Sequence, residues 1–121
     1  MIEKVSPDEA FASIDEQWSP HIAAELNGQA VKLATVEGEF VWHHHDDADE
    51  LFMVLDGALT IELRDEPDVE LEPGEFVVVP SGVEHRPVAD EATRIMLFEP
   101  AGTTNTGNVT SDRTVEAERL E

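Results

Sequence analysis

The chain has 121 residues, 28 Asp plus Glu against 7 Lys plus Arg, a formal net charge of −21 and no cysteine. That length is about one domain, and the lack of cysteine excludes disulfides and thiolate chemistry. So acidic a surface repels nucleic acid and anionic membranes, and with only Lys4 and Lys32 as lysines it resembles a halophile's protein, whose self-repulsion molar salt would screen.

In chain order, SPDE (6–9) is a helix start, with Ser6 as cap, Pro7 at the first helical position and Glu9 three residues after the cap. It predicts a short helix over 7–16. The segments IAAEL (22–26) and QAVKLATV (29–36) flank Asn27-Gly28, a hairpin signal. EFVWHHH (39–45) and ELFMVL (50–55) flank an acidic loop, and Asp56-Gly57 turns the chain into ALTIEL (58–63). After the turn DEPD (65–68) come VEL (69–71), Pro73-Gly74, EFVVV (75–79), Pro80-Ser81-Gly82, EHRPV (84–88) and TRIMLF (93–98). Eight to ten short strands with turn chemistry between them predict an all-β sandwich or barrel. Gly57, Gly74 and Gly82 fall at turns that call for positive φ. Beyond Pro100 the composition shifts to Thr, Asn and Gly, predicting a loop that packs over the barrel or reaches a partner, with a helical turn at 114–120.

The apolar runs LFMVL (51–55) and FVVV (76–79) are far shorter than a membrane span. The opening segment lacks the basic flank and apolar stretch of a secretory signal, so the expectation is a cytoplasmic protein. Phe40, Phe52, Met53, Phe76, Met96 and Phe98 are candidates for the core or a dimer interface.

Residues 42–57, WHHHDDADELFMVLDG, carry the chemistry. Strand alternation turns His43 and His45 to one face and Trp42 and His44 to the other. If 50–55 is the next strand, Glu50, Phe52 and Val54 share a face, which sets a carboxylate opposite two imidazoles. Three such ligands at ~2.0–2.2 Å suit a divalent ion. His85, just after the turn PSGVE (80–84), is the apt fourth ligand. Asp49 is an alternative to Glu50, because the loop breaks the register. The bland reading of Asp46, Asp47 and Asp49 is a solvated loop; the sharper one has them orienting ligand histidines. His21 reads as a surface residue and Arg86 as pointing outward. No catalytic base stands out: Glu50 and Glu84 are nearest, and Glu84 should face away from the ligands.

The pattern H-x-H-x4-E-x6-G over 43–57, followed by G-x5-P-x-G-x2-H over 74–85, resembles the two motifs of the cupin superfamily. His43, His45, Glu50 and Gly57 match the first motif; Gly74, Pro80, Gly82 and His85 match the second. Gly38 lies one residue closer to the first histidine than is common, and Ala89 stands where the second motif often has asparagine. The flanks WSPHIAAELNGQAVKLA and FEPAGTTNTG look like those of small stand-alone cupins, often labelled mannose-6-phosphate-isomerase-like. The resemblance implies a double-stranded β-helix, or jelly-roll barrel: a single cupin domain over 1–121, with an N-terminal helical segment (1–20), a barrel core (about 22–99) and a loop-rich C-terminal tail (100–121). It also implies one divalent ion (Mn, Fe, Ni, Co, Cu or Zn) held inside by His43, His45, Glu50 and His85. The expected function is a metal-dependent dioxygenase or isomerase acting on a small polar metabolite; the alternative is a non-catalytic small-molecule-binding or sensing module. A homodimer is expected, because small cupins commonly pair.

Overall fold

The computed structural model describes residues 2–120. One short helix, α1 (Pro7–Phe11), precedes eight strands: β1 (His21–Leu26), β2 (Gln29–Glu39), β3 (Glu50–Asp56), β4 (Leu59–Leu63), β5 (Val69–Leu71), β6 (Phe76–Val79), β7 (His85–Pro100) and β8 (Glu118–Arg119). Asn27 (φ 51°) and Gly28 (φ 79°) both take the left-handed conformation that a tight β1–β2 hairpin requires.

Two long strands organise the fold. The first part of β7 pairs with β4, its second part pairs with β3, and β2 runs antiparallel along both parts. One layer is therefore β5-β4-β7-β2 and the other β6-β3-β7-β2-β1-β8. This is the jelly-roll architecture that the cupin resemblance implied. Between the layers lies the main core, which includes Val36, Phe52, Val54, Leu59, Ile61, Ile95 and Leu97. A second cluster, Phe11, Ile14 and Leu33, seats the N-terminal segment on the outer face of β2.

Four expectations about elements need correction. The helix spans five residues rather than 7–16, and Ser6 makes no side-chain cap. Past Phe11 the bonds are of i→i−3 type, Ser13 N to Ala10 O and Ile14 N to Phe11 O. Ser13 Oγ also donates to Ala10 O, competing with helix continuation. Segment 39–45 is not a strand beyond Glu39. It runs opposite Pro87, which has no N–H to give, so the ladder breaks. Phe40 N donates to Pro87 O, and pairing resumes only as an isolated bridge between His43 and His85. The segments 84–88 and 93–98 are one continuous strand, bent where Asp90, Glu91 and Ala92 are exposed. The tail ends in β8, parallel to β1, and not in a helical turn at 114–120.

Of the proposed apolar core residues, Phe40 and Phe52 are buried, Met53, Met96 and Phe98 are half-buried, and Phe76 is 61% exposed. Phe76 sits on β6, whose strand partner is β3 alone. The tail packs over the barrel as expected. Thr106 is fully buried, and Asn108 binds His44 through both its N–H and its side-chain oxygen. Gly107 (φ 55°) allows this approach: a Cβ there would lie 2.2 Å from His44 O and 3.1 Å from the His43 ring. No helix among the described residues is long and apolar enough to cross a membrane.

Candidate metal centre

His43, His45, Glu50 and His85 come together inside the barrel, each buried, with one ligand atom apiece all within 4.8 Å of one another. Two atoms each ~2.1 Å from a shared ion stand at most ~4.2 Å apart, so the cluster is close to a coordination shell. Alternation delivers the parts. Glu50, Phe52 and Val54 form the inward row of β3, and His85, Pro87 and Ala89 begin that of β7. The bridge to His85 holds His43 in extended backbone although 40–45 is not a regular strand: His43 N donates to His85 O at 3.0 Å and His85 N to His43 O at 2.9 Å. His43 and His45 therefore still share a face.

Hydrogen bonds fix the protonation pattern of two rings. Nδ1 of His43 lies 2.9 Å from Val41 O, and Nδ1 of His85 lies 2.9 Å from Val83 O. A carbonyl only accepts, so both Nδ1 atoms carry the proton and each Nε2 keeps its lone pair for a metal. Glu50 Oε1 stands 3.3 Å from His45 Nε2 and 3.5 Å from His85 Nε2. His45 Nε2, His85 Nε2 and Glu50 Oε1 are buried with no hydrogen-bond partner in good geometry. Buried polar atoms rarely stay unpaired, and a cation at their centre would satisfy all three. Burial, and then the neighbouring His85, lower the His43 pKa to about 4, so the ring is neutral and ready to ligate at neutral pH.

The structure adds a pair that the sequence reading did not single out. Lys32 and Glu99 are 1% and 2% exposed, and Lys32 Nζ donates to Glu99 Oε2 at 2.7 Å and to Thr103 O at 3.2 Å. Glu99 faces the Glu50 carboxyl. Burial pushes Glu50 up, but the Glu99 carboxyl and the histidine rings beside it outweigh it and leave Glu50 below the usual carboxylate range. Burial and Glu50 push Glu99 up, against the pull of Lys32. The close ammonium favours the anion and the facing carboxyl favours the acid. The signal lay in the period-two row Ala30, Lys32, Ala34, Val36, which is buried throughout.

The cluster stands between two spaces. Inside is a small cavity of ≈ 30 Å³, walled by Trp18, Phe40, Phe52 and Leu97, with His43, Glu50, Glu99 and Asn105 as its polar lining. Outside, a cleft of ≈ 320 Å³ runs from His45, Asp46 and Asp47 to Thr103, Thr104 and Asn108 of the tail. Trp18 keeps its place, despite a positive φ of 59°, by donating from Nε1 to Glu37 O and from N to Thr35 O.

The other candidates fall outside the cluster. His44 Nε2 points to Asp46 Oδ1 at 2.8 Å. Asp49 accepts from Ser81 N, which ties the acidic loop to the 80–82 turn and leaves Glu50 as the carboxylate of the cluster. Asp46 and Asp49 thus bind His44 and a backbone N–H rather than orienting a ligand histidine. Glu84 pairs with Arg64, Arg86 with Glu39 and Glu62, and His21 with Ser19 O, all away from the cluster.

Residues 30–99 match the cupin domain family. A cupin-2 domain containing protein from Shewanella frigidimarina is 46% identical, covering 79% of this chain and 93% of that one, with a TM-score of 0.77. An uncharacterized protein of Bacillus subtilis, YdbB, is 38% identical over 73 residues, 60% of this chain and 65% of its own length. Acireductone dioxygenase of Phaeosphaeria nodorum is 35% identical over 95 residues, 70% of this chain and 54% of its own length. The matches thus span less than two thirds of either curated relative. Barrel, motif spacing and family match agree, and the chain belongs to the cupin family.

Proposed function

We propose that His43, His45, Glu50 and His85 hold one divalent transition-metal ion and that the chain is a metal-dependent cupin enzyme acting on a small polar molecule, most simply a dioxygenase. The observation that carries this reading is the convergence of three buried, unpartnered ligand atoms, Nε2 of His45 and His85 and Oε1 of Glu50. Imidazole nitrogens with one carboxylate and no thiolate suit Mn, Fe, Co, Ni, Cu or Zn. The likeness to acireductone dioxygenase supports oxygen chemistry over isomerisation.

A bound ion would supply Lewis acidity and, if redox-active, a place for dioxygen to react. The protein supplies the rest. Val41 O and Val83 O hold two imidazoles in the ligating tautomer. Trp18, Phe40 and Phe52 exclude bulk water from the inner cavity. Glu99 sets a second carboxyl beside Glu50 within reach of an occupant of that cavity. A cytoplasmic, salt-adapted homodimer completes the proposal, and the exposed Phe76 and Val78 on β6 support pairing.

The test is elemental analysis of protein purified without chelator, beside a His43→Ala/His45→Ala variant. Near-stoichiometric metal that vanishes in the variant is expected, followed by dioxygen uptake with hydroxylated substrates. No metal after reconstitution with each ion would overturn the reading. Ligand-induced stabilisation without turnover would establish a sensing module instead.

A further inference from the structure

Resting on the metal reading above, we infer that Glu99, held by Lys32, is the substrate-recognising group of the site, and that it takes a hydroxyl on the carbon next to the oxygen that meets the ion. Glu99 Oε1 is buried without a partner among the described residues, while its other oxygen is taken by Lys32. Glu99 lines the inner cavity beside Glu50 and His43, whereas Trp18, Phe40, Phe52 and Leu97 offer no polar atom toward it. The remaining polar lining residue, Asn105, spends its side chain on Trp18 O, Arg113 O and Val115 N, so an occupant meets one ligand cluster and one carboxyl with an oxygen to spare. Because Glu99 and Glu50, itself in the ligand cluster, line the same small cavity, the two polar anchors are close, and the groups that meet them belong on neighbouring atoms.

A hydroxyl suits Glu99 whatever the proton's position: it donates to the carboxylate and accepts from the acid. The cavity of ≈ 30 Å³ has room for about two or three waters. The class is thus a compact compound with vicinal oxygens, such as an α-hydroxycarbonyl, and not a sugar phosphate or an extended chain. Lys32 is a positioning residue. It lies opposite Leu97 in the β2–β7 register, with Ala30 opposite Glu99, so it reaches Glu99 diagonally and fixes which oxygen stays free.

The experiment uses Co(II)-loaded protein, whose visible absorption reports the ion's surroundings. It is titrated with hydroxyacetone and with butanone, which replaces the hydroxyl by a methyl group. The parent is expected to bind hydroxyacetone at least about tenfold more tightly, as one hydrogen bond to a charged group implies. A Lys32→Met/Glu99→Met variant is expected to keep its Co(II) and lose that preference. Equal response to both compounds, or none, in the loaded parent overturns the inference and leaves the metal reading standing. Retention of the preference in the double variant also overturns it, because the hydroxyl would then be read by the ion alone. Failure of the parent to take up Co(II) or any other ion removes the metal reading and this inference with it. The two-compound comparison in the parent does not depend on how the variant folds.

Discussion

Glu99→Met should be among the most damaging single substitutions in the barrel, because of what it strands. Lys32 is 1% exposed, and Thr103 O at 3.2 Å would be the one remaining partner of its ammonium. Breaking a buried ion pair from one side costs about 3–5 kcal/mol. The expected loss at pH 7 is therefore about 3–5 kcal/mol. Urea unfolding of metal-free protein at fixed salt, followed by tryptophan fluorescence, should show a midpoint about 2 M lower for a slope near 2 kcal/mol per M. Adding Lys32→Met should recover most of the loss, since well-packed apolar replacements of a buried pair are often neutral. Equal loss in the single and double variants would refute the pairing as the cause.

Three further outcomes follow from the geometry. Gly107→Ala would set a Cβ 2.2 Å from His44 O at a positive φ, so about 1–3 kcal/mol of strain should loosen the tail, read as faster hydrogen exchange over 103–109 with the barrel amides unchanged. His43, lowered from 6.5 to about 4, is neutral in the fold while the unfolded chain takes up its proton. Its contribution is present above pH 6.5 and lost as pH falls toward 4, so the stability of metal-free parent minus His43→Gln should drop by up to ~3 kcal/mol across that window; nitrogen NMR should show the Nδ1-protonated tautomer at pH 7. Because the net charge is −21, raising salt from 0.1 to 1 M, which shortens the screening length from ~10 to ~3 Å, should raise the unfolding temperature; a flat or falling response would argue against salt adaptation.

The ligand cluster was legible because it needed only parity and turns. His43 and His45 are two apart, Glu50 heads the row shared with Phe52 and Val54, and His85 follows a turn that brings it back. That held even where the element was misjudged: 40–45 is not a strand, yet the bridge to His85 keeps it extended. The limit there was Pro87, whose missing N–H matters only once the partner segment is known. Lys32–Glu99 was hidden for a deeper reason. Each residue alone reads as a surface charge in an acidic chain, and they meet only through a β2–β7 register spanning 67 positions of sequence. Composition favoured the solvated reading, and tertiary pairing overruled it. The helix at 7–16 failed on a local competition, the Ser13 hydroxyl against the next helical turn.

The long bent strand β7 carries His85 near one end and Glu99 near the other, in the same inward row. This constrains which length changes the chain tolerates in evolution. Losing a single residue between 86 and 98 would leave one of the two facing inward and turn the other out, so metal binding and substrate recognition would separate in one step. Changes of two residues at the exposed bend, 90–92, keep both rows in phase. The same strand thus offers a route by which relatives could retain the ion and change what they recognise.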